Sequence, residues 1–144
     1  MRSSGTFSVV SFVPATVAAA SADAAPVPVE TALPVGVSTM EKLYQGEVAG
    51  RSTTVFTAAY DMAAGIGTYL AMESFEGTLN GRKGAFNFVH SATTTGENRE
   101  AQFFALVPAS GTGELAGITG TGGIAIDADG THRIWFDYRL PAEA

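Results

Sequence analysis

The chain is predicted to be all-β, an antiparallel up-and-down barrel of about eight strands around a central cavity. Three observations predict this. Glycine is abundant, with 17 among 144 residues, and Thr, Val and Phe prevail over Lys and Leu, a balance that favours strands and tight turns over helices. Runs of apolar and polar residues alternate with period two, separated by Gly, Asn or Asp turns. A meander of about eight such runs removes its exposed edges by closing on itself, and a barrel of that size has room for side chains or one small ligand. The length fits one domain, 1–144, with a respectable core.

Ser4–Val13 is the first predicted strand, since Thr6 to Val13 alternates. With Arg2 ahead of it and small residues at Ala22 to Ala25, this end imitates a secretory leader. Ser8, Ser11 and Pro14 interrupt the apolar run, so a strand of a cytoplasmic protein is expected instead. Ala18 to Val37 is a connection rich in Ala, Pro and Val. Pro26, Pro28 and Pro34, following Pro14, deny it a helix or a central strand. Its apolar residues Val27, Val29, Leu33, Val35 and Val37 predict a packed lid over one barrel mouth rather than a disordered tether. Further strands are predicted at Thr39–Val48, Ser52–Tyr60, Ile66–Thr78, Lys83–Thr95, Glu100–Val107, Gly120–Ile126 and His132–Leu140.

The segment Tyr69 to His90 is the most informative. Asn80-Gly81 reads as a two-residue hairpin turn, and such a turn sets the register of its flanking strands. Leu79 then pairs with Arg82, Phe75 with Phe86, Glu73 with Phe88 and Ala71 with His90. Period-two alternation brings Tyr69, Ala71, Glu73, Phe75, Phe86, Phe88 and His90 to one face. Glu73 and His90 lie on a diagonal of the ladder, where Cβ atoms are roughly 7–8 Å apart and two long polar side chains can meet. Carried across the next turn, the same phase puts Ala101, Phe103, Ala105 and Val107 on the His90 face, and Leu70, Met72, Val89, Phe104 and Leu106 on the other. Apolar residues on both faces predict an exterior packed against another subunit, in a homo-oligomer such as a dimer.

Composition excludes several classes. The net charge is −6 and the eight basic residues are scattered, so a nucleic-acid backbone is not the expected partner. No run reaches the roughly 18 apolar residues that span a bilayer. Without cysteine there are no disulfides, thiol nucleophiles or thiolate metal sites. Gly111 to Gly123 lacks the Lys-Ser/Thr ending of a phosphate loop and reads as turn and bulge glycine. Asp127-Ala128-Asp129-Gly130 lacks the later ligands of a calcium loop and reads as a hairpin turn. Two distant histidines make no metal site, and no G-x-S-x-G nucleophile motif is present.

The strings ESFEGTLNGRKGAFNFVHS (Glu73 to Ser91) and VPASGTGELAGITGTGG (Val107 to Gly123), with FDYRL (Phe136 to Leu140) and more weakly GTFSV (Gly5 to Val9), carry a resemblance. They resemble an uncharacterised bacterial family of small barrels similar to allene oxide cyclase. The resemblance implies an eight-stranded barrel with a central cavity. The wider group similar to it includes cyclases of unsaturated fatty-acid epoxides and barrels that cyclise polyketides in natural-product biosynthesis. Two departures from the family pattern, Phe12-Val13-Pro14 after the first strand and Val55 where an acid is usual, imply a greasier interior.

The resulting expectation is a cofactor-free isomerase or cyclase that folds a small apolar or amphipathic substrate. Glu73, His90 and Tyr69 are the candidate catalytic residues, with burial raising the Glu73 carboxyl pKa towards working pH. Phe75, Phe86, Phe88, Phe103, Tyr60 and Trp135 are the candidate substrate-binding residues. A non-catalytic barrel that binds or carries a hydrophobic ligand is the alternative, and a purely structural oligomeric domain a third.

Overall fold

The computed structural model describes residues 1–17, 19 and 21–141. Eight strands run β1 (Arg2–Ala15), β2 (Val35–Gly46), β3 (Val48–Asp61), β4 (Ile66–Leu79), β5 (Arg82–Thr95), β6 (Asn98–Leu106), β7 (Thr119–Ile126) and β8 (His132–Arg139). They form one antiparallel sheet in the order β6-β5-β4-β3-β2-β1-β8-β7. The pairing of β1 with β8 wraps the meander round, and β6 meets β7 across a seam without a ladder. Thr121 Oγ1 bridges that seam, donating to the Phe104 carbonyl at 2.7 Å. The barrel is all-β and nearly closed.

Local chemistry explains the element ends. Asn80 and Gly81 both take positive φ (50° and 82°), as a type I′ turn requires, and every pair expected from that turn is present, from Leu79 with Arg82 to Ala71 with His90. Thr39–Val48 is not one strand: Gly46 turns the backbone at φ 112°, the Glu47 N–H donates to the Ser4 carbonyl at 3.0 Å, and Val48 starts β3. Pro14 is tolerated inside β1 because β1 pairs with β8 only from Arg2 to Phe7, which leaves the outer edge of Ser8–Ala15 free. Gly50 and Gly77 face each other where the backbones of β3 and β4 nearly touch; a Cβ on Gly77 would lie 2.0 Å from the Ala49 carbonyl oxygen.

The barrel end near Asn80 is solid. After β6 the chain follows the vacated edge of β5, with the Val107 N–H donating to the Asn87 carbonyl (2.9 Å) and the Thr112 N–H to the Ala85 carbonyl (2.8 Å). This drives Leu115 and Ile118 into the barrel as a plug. They join Val48, Leu79, Phe75, Phe86, Phe88, Phe136 and Tyr138 in a dry core in which Phe136 lies 5.3 Å from Phe86 and 5.1 Å from Phe88. Burying each of these rings contributes about 1.5–3 kcal/mol. The opposite end is open, since β8 starts at His132 beside Phe7 and no strand among the described residues pairs with that edge of β1 beyond it.

Four expectations about facing are corrected. β6 holds a bulge: Ser91 pairs with Phe103 but Thr93 pairs with Glu100, and Ala101 takes φ 50°. The extra residue reverses the phase, so Phe104 and Leu106 point inward while Phe103 is 55% exposed. Trp135 lies outside, because Ile134, Phe136 and Tyr138 take the inward phase of β8; its ring covers Gly123, 5.7 Å from the Arg2 guanidinium. Val55, 57% exposed, also faces out and leaves the interior unchanged. The connection between β1 and β2 is not a packed lid: Val27 and Val29 are 89% and 83% exposed. Its prolines lack donors to tie it to the barrel, and its hydrogen bonds among the described residues are local, such as Thr31 Oγ1 to the Leu33 carbonyl.

Candidate functional site

A cavity of about 620 Å³ fills the open half of the barrel. Its walls are largely apolar, with Phe12 from β1, Met40 from β2, Phe56 from β3 and Ile126 from β7, while Tyr60 and Met62 stand at the rim. Pro34 and Gly36, at the end of the Pro-rich connection, complete the mouth. Its floor is polar. Lys42 reaches it from β2, Tyr69 from β4, His90 from β5 and Arg99 from β6.

Beneath this floor Glu73 is fully buried and accepts from four side chains. Lys42 Nζ donates to Oε2 at 2.7 Å, and His90 Nε2 bonds the same oxygen. The Tyr44 hydroxyl (2.5 Å) and Ser52 Oγ (2.8 Å) donate to Oε1. Burial alone would raise the carboxyl pKa; the His90 hydrogen bond and the Lys42 charge and hydrogen bond oppose it, and the value comes down to about 2. The expected rise is therefore reversed. Glu73 does not border the cavity and stays ionised, so it positions its neighbours rather than exchanging protons with a ligand. Burial and the Glu73 charge raise the Tyr44 pKa, which keeps that hydroxyl a donor.

Glu73 sets the state of His90. An ionised carboxylate only accepts, so Nε2 carries the proton and Nδ1 presents a lone pair. Tyr69 donates its hydroxyl proton to that Nδ1 at 2.8 Å. Burial lowers the His90 pKa; the Glu73 bond opposes this, and the Lys42 and Arg99 charges add to it, leaving the imidazole neutral. Arg99 Nη2 donates to the Tyr69 oxygen at 2.9 Å. A continuous chain thus runs Arg99, Tyr69, His90, Glu73. Burial raises the Tyr69 pKa, the Arg99 hydrogen bond and charge oppose it, and the phenol is neutral at rest. Its ring stacks on Phe56 at 5.2 Å, which holds the hydroxyl in place.

Three of the residues expected on the functional face, Glu73, His90 and Tyr69, do come together. Tyr60 borders the cavity as expected. Phe75, Phe86 and Phe88 point inward but belong to the dry core below the polar floor and do not line the cavity. Phe103 and Trp135 lie on the outer surface. Sequence reasoning missed Lys42, Tyr44 and Arg99. Lys42 carried a signal, since it shares the inward phase of β2 with Met40 and Tyr44; Arg99 fell just outside the predicted strand, which began at Glu100, although β6 begins at Asn98.

The family model described as "Protein of unknown function (DUF3224)" matches residues 3–138. The chain belongs to this family. Among solved structures it is similar to a DUF3224-family protein of unknown function from Shewanella oneidensis MR-1, at 27% identity and a TM-score of 0.77, over 99% of this chain and 98% of that one. No match was found among curated proteins. The uncharacterised family expected from the motif strings is thereby shown, whereas these matches do not confirm a likeness to allene oxide cyclase. No helix among the described residues is long and apolar enough to cross a membrane.

Proposed function

We propose that the cavity binds a small apolar or amphipathic molecule with a carbonyl or enol oxygen, of polyene or polyketide type, and isomerises or cyclises it without a cofactor. The observation that carries this reading is the hydrogen-bond chain from Arg99 through Tyr69 and His90 to Glu73, in which Tyr69 borders an apolar chamber. When the Tyr69 oxygen takes a proton from the substrate, its own proton passes to His90 Nδ1. The imidazolium then faces Glu73, and Arg99 supports negative charge on the phenol or substrate oxygen. Return of the proton at another atom completes an isomerisation or ring closure with no net proton change. The apolar walls hold a flexible substrate in its reactive fold, which supplies much of a unimolecular acceleration.

The test is a panel of polyene and polyketide-like carbonyl compounds, read by mass-neutral changes in retention and by deuterium uptake from solvent. Tyr69→Phe is expected to reduce turnover about 10²–10⁴-fold while leaving binding nearly intact. One observation favours a carrier instead: the chamber is open along the free edge of β1, so a ligand exchanges readily. Binding without turnover across the panel would favour it. The proposed dimer rests on the outer face, where Val55, Leu70, Met72 and Phe103 are exposed together on neighbouring strands.

A further inference from the structure

Resting on the reading of the cavity as a ligand site, we infer that its occupant is a monoanion, an apolar acid whose carboxylate is held by Arg99. The chain has 14 Asp and Glu against eight Lys and Arg. No Asp or Glu among the described residues borders the cavity; Lys42, Arg99, His90 and His132 do. Glu73 is the nearest acid from below, and its charge is matched by Lys42 at 2.7 Å. With His90 neutral, one positive charge is left over, on Arg99.

The surroundings of Arg99 are those of a cation awaiting a counter-ion. Among the described residues no carboxylate lies within 4 Å of it. Its partners are the Tyr69 hydroxyl, at 2.9 Å, and the Tyr69 ring, 5.5 Å from the guanidinium carbon. Nε is buried with no hydrogen-bond partner. Arg99 is half-buried, and leaving its buried Nε–H unpaired is costly; a carboxylate matches the planar fork of donors. Its position extends the argument. A second hollow of about 280 Å³ lies in the seam between β6 and β7, and it shares Tyr69, His90, Arg99 and Ile124 with the main cavity. Gln102, Ser91 and Thr121 give this hollow polar walls, and no acid lines it. Of the four shared residues Arg99 is the one with a guanidinium, so a carboxylate there places an apolar tail towards Phe56 and Phe12 in the main chamber. Among the described residues that line the cavity, Arg99 is the one Lys or Arg without a carboxylate partner, and a single such charge fits a carboxylate better than a phosphate dianion.

Calorimetry with decanoate, decanamide and acetate at pH 7.5 tests this. Decanoate is expected to bind at least about 10-fold more tightly than decanamide, and acetate too weakly to measure, since an apolar tail is required. Arg99→Gln, shown to be folded by its thermal transition, should weaken decanoate about 10–100-fold and leave decanamide within about threefold. Arg99→Lys should retain part of the preference, because it keeps the charge but not the fork. Equal binding of decanoate and decanamide by the native protein, or a preference that survives Arg99→Gln, would overturn the anion site while leaving the apolar cavity standing. Tight acetate binding would overturn the apolar-acid assignment in favour of a small free anion. Failure of all three to bind would overturn the cavity reading and this inference together.

Discussion

Glu73→Gln is the perturbation that the geometry makes most quantitative. The carboxylate receives four donors, two on each oxygen, and an amide offers one accepting oxygen and an NH₂ that itself donates. Two of the four donors therefore face a donor. Lys42, with its side chain 5% exposed, loses its counter-charge. Breaking a buried ion pair from one side costs about 3–5 kcal/mol, a large part of the roughly 5–15 kcal/mol that stabilises a typical domain. With an m-value of about 2 kcal/mol/M, the urea midpoint should fall by about 2 M at pH 7. The pH dependence adds a second signature. A carboxyl at about 2 in the folded protein and near 4.5 unfolded stabilises the fold fully above pH 4.5 and loses that contribution as pH falls towards 2. The variant has no such group, so the gap between native and Glu73→Gln should be constant above about pH 5 and narrow by about 3 kcal/mol on acidification. Lys42→Met combined with Glu73→Leu should recover part of the loss by removing both charges. A gap below about 1 kcal/mol, or one indifferent to pH, would refute the buried carboxylate as the anchor of the site.

Three further outcomes follow from the same structure. Phe104→Ala should cost about 3–5 kcal/mol in urea unfolding, whereas Phe103→Ala stays within about 0.5 kcal/mol for the monomer, which reads the β6 bulge directly. Because the folded-state pKa of His90 is lowered, its contribution is full above the unfolded value near 6.5 and is lost as pH falls below it; His90→Gln should flatten the stability profile below about pH 6.5. Replacing Val27 and Val29 with Ser should leave the thermal midpoint unchanged within a degree or so, since both side chains are in solvent.

What was legible in the sequence and what was not have separate physical causes. Asn80-Gly81 dictates a turn with only one register, and alternation then assigns the faces of β4 and β5, so Glu73, His90 and Tyr69 could be placed together before any coordinates. The β6 bulge depends on a single residue, Ala101, taking a left-handed conformation that alanine seldom adopts, and no composition signal marks it. The residues after it were read in the wrong phase, Phe103 among them, whereas Arg99 precedes the bulge and was missed because the predicted strand began at Glu100. Lys42 lies on β2, which the register set by Asn80-Gly81 does not reach. The polarity of the site was misjudged for the same reason: a lone glutamate on a greasy face suggests a raised pKa, but Lys42, Tyr44 and Ser52 arrive from strands 20 or more residues away in sequence. The Pro-rich connection was apolar enough to pack, yet Val27 and Val29 found no surface to cover.

In the proposed mechanism His90 stands neutral between Glu73 and Tyr69 and takes a proton from the phenol. Nitrogen-15 NMR of the histidine ring at pH 7 is the direct test. One tautomer is expected for His90, with the proton on Nε2 and a bare Nδ1, titrating below the usual imidazole value and perturbed by Tyr69→Phe. A proton on Nδ1, or an imidazolium at pH 7, would contradict it.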